Sequence, residues 1–184
     1  MWRMSDPRFP IGRFTYTPAK NKQERGLSID SIAALPAKLR QAVSGMDREQ
    51  LDTPYRDGGW TVRQVVHHLP DSHLNSYLRF KCALTEDAPA IKTYEEDRWA
   101  ELPDSRGDVE VSLLLLDALH RRWVLLLRQL TDEQWQRTFV HPQQGAVALE
   151  RALALYAWHS EHHLAHVNSV AAKPNGSSVR SSEQ

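Results

Sequence analysis

Apolar residues recur at helical spacing in four stretches of this chain, and polar, glycine- or proline-marked segments separate them. A first helix is predicted over about Ser31–Val43, ended by Ser44-Gly45, with Pro36 placed in its first turn, where a missing N–H is tolerated. Thr61 is positioned to cap a long second helix reaching about Leu84, with Val62, Val65, Val66 and Leu69 as its stripe; Pro70 should kink or split it. The third helix, about Val109–Leu130, aligns Leu116, Leu119, Trp123, Leu127 and Leu130. The fourth, about Ala148–Ala172, aligns Leu149, Ala152, Leu153, Tyr156 and Val167. Met46–Asp52 and Thr131-Asp132-Glu133 read as single helical turns, and Tyr55–Gly59 and His141–Gly145 as a turn and a loop. Residues 85–108 form a long connection bearing Pro89, Pro103, Tyr94 and Trp99, and connections of that length often pack as a lid.

No period-two alternation competes with this pattern. The expected fold is therefore all-α, an up-down four-helix bundle over residues 29–172. Residues 1–28 read as an irregular N-terminal segment with Phe9-Pro10-Ile11-Gly12 as a docking hook, and residues 173–184 as a disordered tail.

Composition narrows the class. The chain has 184 residues, enough for one domain with a sizeable core. Lys+Arg and Asp+Glu both number 23, so the net charge is zero, which argues against a nucleic-acid partner. No apolar run approaches the ~20 residues of a membrane helix, and Met1–Pro7 lacks an apolar signal core. One cysteine, Cys82, excludes an internal disulfide; a cytoplasmic location is expected, with Cys82 packed as a small apolar residue rather than acting as a nucleophile.

The chemistry lies in the histidines. Four of the nine fall at 159, 162, 163 and 166, inside the fourth helix. Residues i and i+4 share a helix face, so His159/His163 and His162/His166 are the two possible pairs. Rotation by about 100° per residue puts His163 within the apolar stripe, His159 on its flank and His162 about 120° away, with His166 intermediate. His159/His163 is the inward pair, and His162 is expected at the surface. A catalytic zinc site needs a third protein ligand. On the second helix His68 lies about 110° and His67 about 150° from the apolar stripe, which favours His68. His73 lies in line with the stripe but beyond Pro70, where the rotation count fails, so the order is His68, His73, His67. His120 reads as a core or supporting histidine. Gln64 and Asp71 are candidates for orienting an imidazole, and Glu161 for a solvated charge. His-Glu-x-x-His is absent.

Gly58-Gly59-Trp60-Thr61-Val62-Arg63-Gln64-Val65-Val66-His67-His68-Leu69, followed by Asp71-Ser72-His73, resembles the second-helix signature of the YfiT-type metal-dependent hydrolases of the DinB-like four-helix superfamily. Phe9–Gly12, Leu51–Arg56, Trp99–Leu102, Leu119–Val124 and Tyr156–His159 with the histidines after it extend the likeness over about residues 9–168. Pro70 stands where that pattern leads us to expect a small residue. The resemblance implies one divalent metal per subunit held by His68, His159 and His163, in a cytoplasmic homodimer. A small-molecule substrate is expected, and imidazole ligands suit zinc, nickel, copper or iron, with zinc the first choice and nickel the second. It implies hydrolysis by a metal-activated water, with no general acid or base identifiable. DinB-like relatives that use low-molecular-weight thiols make a bacillithiol-transferase-like S-transferase the runner-up, with the thiol supplied from solution. A non-catalytic metal-binding dimer is the third reading.

Overall fold

The computed structural model describes residues 6–19 and 21–172. Four long helices dominate it: α1 (Lys22–Val43), α3 (Val62–Thr85), α5 (Val109–Gln129) and α7 (Leu149–Ala171). Short helices α2 (Arg48–Leu51), α4 (Glu96–Trp99) and α6 (Asp132–Trp135) lie in the connections, with a 3₁₀ turn at Pro103–Arg106.

The bundle packs α1 against α7 and α5, and α3 against α5 and α7. His67 faces Ser112, His73 faces His120 and Phe80 faces Trp123, so α3 and α5 run parallel. Arg25 pairs with Glu150 and Lys38 with Glu161, so α1 and α7 also run parallel. The four-helix bundle stands as expected, but strict up-down alternation does not hold between α3 and α5. The long connection after α3 lets the chain return to the same end of the bundle before α5 begins.

α1 starts at Lys22, well before the expected Ser31, capped by the Asn21 side chain, which accepts from the Glu24 N–H at 2.9 Å. The first two turns are polar and carry little periodic signal. They are held instead by Arg25, which bonds Glu150 and Asp132. The earlier start places Pro36 in the helix interior rather than its first turn. α3 likewise continues through Pro70, which is buried, instead of splitting there. Burial of the apolar face on both sides outweighs the lost hydrogen bond.

A two-stranded antiparallel hairpin is the element the periodicity did not announce. β1 (Thr138–His141) pairs with β2 (Gly145–Ala148) in the register His141↔Gly145. Four-residue strands are too short for alternation to register, and Gly145 takes the positive φ (70°) that a three-residue hairpin loop requires. Val140 also bonds Pro89 and Ile91 through its backbone, tying the start of the 86–108 connection to the hairpin.

Two apolar clusters fill the bundle. One contains Ile32, Phe80, Trp123, Leu149 and Tyr156. The other contains Leu35, Leu69, Leu116, Leu164 and Val167. In each long helix the changeover falls where α3, α5 and α7 carry His73, His120 and His159–His163, so a polar histidine layer separates the clusters. No described helix is long and apolar enough to cross a membrane.

Candidate metal centre

Thr61 begins α3 with a capping box: its side chain accepts from the Gln64 N–H at 3.1 Å, and the Gln64 carbonyl oxygen accepts from the Thr61 N–H at 3.0 Å. This fixes the helix start about two turns before His68. Gln64 spends its amide N–H groups on the Ala100 carbonyl and Glu101. It therefore anchors the 86–108 connection and orients no imidazole.

One ring nitrogen from each of His68, His159 and His163 falls within 4.8 Å of the other two. The Nε2 atoms of His68 and His159 are 3.3 Å apart. His68 and His163 are buried, whereas His159 keeps part of its surface open. Burial pushes the His68 imidazole down to about 4. It also pushes His159 and His163 well below the ordinary histidine range, reinforced by the neighbouring imidazoles. Neutral rings with free lone pairs are the form in which histidine ligates a metal. Trp60 covers the cluster, its ring 4.6 Å from His68 and stacked on His163 at 6.3 Å.

The three histidines line a cavity of ≈ 550 Å³, together with Trp60, Ser72 and Tyr94. Arg79, His141 and the acidic run Glu95–Asp97 form its outer wall. Tyr94 belongs to the connection read as a lid, and its ring lies 4.5 Å from Trp99. Burial raises the Tyr94 hydroxyl well above its usual range. The hairpin residues on this wall were missed in the sequence because the hairpin itself was.

The remaining histidines divide clearly. His67 turns toward α5, with Nδ1 2.7 Å from the Ser112 hydroxyl, and takes no part in the cluster. His73 is fully buried and lies behind it, with Nε2 3.1 Å from His159 Nδ1. His120 Nε2 is 2.9 Å from His73 Nδ1. His162 is buried, not at the surface as rotation predicted. The angle measured only its distance from the helical core, and the N-terminal segment covers that outer face. Phe9 approaches the His162 ring at 6.2 Å, Trp158 stacks on it at 4.4 Å, and Tyr55 stacks on His166 at 3.9 Å. Of the expected hook, Phe9 docks while Ile11 stays exposed.

Burial and then Asp104 raise the Asp71 carboxyl to about 6. Glu161 accepts from Ser31 and Lys38, joining α7 to α1 at the surface. Cys82 is partly exposed rather than packed, and its thiol is raised by burial and then by Glu86. It lines no part of the histidine cavity.

A four-helix bundle in which α3 and α7 bring three imidazoles together places the chain among bundle proteins with a histidine-lined centre. The family model described as the DinB superfamily matches residues 31–167, and the chain belongs to that superfamily. It is 54% identical over 172 residues to a Bacillus cereus protein named "Putative metal-dependent hydrolase", covering 94% of this chain and 99% of that one. A Bacillus mycoides protein with the same designation is 52% identical over the same span and coverage. Among solved structures, YfiT from Bacillus subtilis, described as a probable metal-dependent hydrolase with an unusual four-helix bundle topology, superposes with a TM-score of 0.86. That match has 53% identity and covers 89% of this chain and 95% of YfiT. A second structure, described as a four-helix bundle protein, matches at a TM-score of 0.52 and 24% identity, with 76% and 94% coverage, and supports the fold alone.

Proposed function

We propose that this chain is a metal-dependent hydrolase whose divalent cation is held by His68, His159 and His163. The observation that carries this reading is the convergence of three imidazole nitrogens within 4.8 Å at the wall of a ≈ 550 Å³ cavity. The donor set fits the group. The ligand candidates are neutral rings, no carboxylate belongs to the cluster, and three histidines leave a position for substrate or water, as in catalytic zinc sites. A divalent cation there supplies a Lewis acid and lowers the pKa of a coordinated water toward neutrality. The names carried by relatives at 52–54% identity point to the same chemistry.

The chain's own residues supply binding and exclusion. Trp60 shields His68 and His163 from solvent, Tyr94 and Ser72 present polar atoms to the cavity, and the tethered connection closes one side. The cavity size suits a small polar substrate. Imidazole donors suit zinc, nickel, copper or iron; of these we take zinc first and nickel second. A homodimer follows from the family resemblance, and a cytoplasmic location is consistent with the lone unpaired cysteine.

Elemental analysis of purified protein, combined with turnover of a panel of esters and amides in the absence of thiol, tests this. The expected result is one divalent metal per chain and hydrolysis abolished by a chelator. Turnover that appears only when a low-molecular-weight thiol is added overturns hydrolysis in favour of S-transfer. Wild-type metal binding by His163→Ala overturns the metal centre itself. Sedimentation of the full chain tests the dimer.

A further inference from the structure

Pro36 lies inside α1 and has no N–H to offer the carbonyl of Ile32, four residues earlier. That carbonyl is 2.7 Å from His120 Nδ1. A carbonyl only accepts, so His120 carries its proton on Nδ1. His120 and His73 are buried, with 2% and 0% exposure, and among the described residues no carboxylate bonds either ring, so both are neutral and each has one proton. His120 Nε2 is then an acceptor, and His73 Nδ1, at 2.9 Å, must donate to it. His73 Nε2 becomes an acceptor in turn, and His159 Nδ1, at 3.1 Å, must donate. The His159 proton is thereby placed on Nδ1 and its lone pair on Nε2, the atom that faces His68 Nε2.

We infer that His120 and His73 are positioning residues, a two-imidazole relay that transmits the proline-released Ile32 carbonyl to His159 and fixes it as the Nδ1–H tautomer with Nε2 free to ligate. This inference rests on the metal-centre reading for its purpose, but the tautomers are properties of the chain alone. Ligating histidines ordinarily give their other N–H directly to a carboxylate or carbonyl. Here the carbonyl is two rings away, on another helix, so α1, α5 and α3 together set the orientation of a side chain on α7. Both apolar clusters press on this layer, and Tyr156 and Trp123 meet the His73 ring edge-on at 5.1 and 5.8 Å, which keeps the rings from turning.

The test is long-range ¹H–¹⁵N correlation NMR of the full chain, labelled in its imidazole nitrogens and stripped of metal at neutral pH. Nδ1–H tautomers at His120, His73 and His159 are expected; an Nε2–H tautomer at His159 overturns the inference without any variant having to fold. Zinc titration of His120→Phe then measures the consequence. Mixed tautomers at His73 and His159, with zinc affinity about 10- to 100-fold weaker, are expected; unchanged tautomers and unchanged affinity overturn it. His163→Ala separates the two readings. Loss of zinc with the His159 tautomer retained supports both, whereas wild-type zinc affinity in that variant overturns the metal centre and the relay's role in ligation.

Discussion

His120 donates from Nδ1 to the backbone carbonyl of Ile32 at 2.7 Å, across the interface between α5 and α1. The carbonyl is available because Pro36 cannot bond it. A helix defect on one element thus becomes a fixed acceptor for the histidine layer, and the stability of that layer is open to several measurements.

Metal should stabilise the fold, because the unfolded chain has no assembled site. At zinc concentrations about 100-fold above Kd the gain is about 2.7 kcal/mol, a rise in Tm of roughly 5–10 °C for a chain of this size. Differential scanning calorimetry with and without chelator measures it. In His68→Ala the zinc-dependent rise should vanish, and a full rise in that variant would remove His68 from the ligand set.

The metal-free protein should lose stability in mild acid. Burial holds His68 and His120 at about 4, and His73, His159 and His163 well below the ordinary value, whereas the unfolded chain protonates near 6.5. Above pH 6.5 both states are neutral and stability is complete. As pH falls from 6.5 toward 4, the unfolded state takes up protons that the fold refuses, so stability declines. His120 alone accounts for about 2 kcal/mol at pH 5. Asp71, raised to about 6 by burial and Asp104, acts in the opposite sense between its unfolded value and 6, but it is one group against five. Urea titrations at pH 7.5 and pH 5 should show a clearly lower midpoint at pH 5; equal midpoints would contradict neutral burial of the layer.

Thr61→Ala removes the side-chain half of the α3 capping box. The expected loss is about 1 kcal/mol, read as a shift in denaturation midpoint. Thr61→Ser should recover most of it, since the hydroxyl acceptor is retained.

Trp123 is fully buried and packs edge-on against Phe80, Tyr156 and His73. Trp123→Ala should destabilise by roughly 3–5 kcal/mol. It should also loosen the His73 ring, seen as broadening of the His73 imidazole resonances in the folded variant. A loss under about 1 kcal/mol would show that the site collapses around the cavity.

Much of the architecture was legible along the chain because it depends on local period. α5 and α7 were read within a residue or so of their ends, since dense apolar stripes mark them. The start of α1 was not legible: Lys22–Asp30 is held by Arg25 bonding Glu150 and Asp132, partners more than 100 residues away. The hairpin escaped because four residues cannot display a period, and β1 is secured partly by backbone bonds to Pro89 and Ile91.

The same division runs through the site. Sequence spacing alone determined that His159 and His163 share a face of α7, because helix geometry is a property of neighbouring residues. Rotation about α3 ranked His68 over His67, and His73 came second because it follows Pro70. Only the tertiary structure decided that His67 turns to Ser112, that the Phe9 segment buries His162, and that His73 stands behind His159 instead of beside it. These outcomes depend on which helix faces which. α3 and α5 running parallel brings His73 level with His120, and α5 packing antiparallel to α1 brings His120 to the carbonyl that Pro36 leaves free.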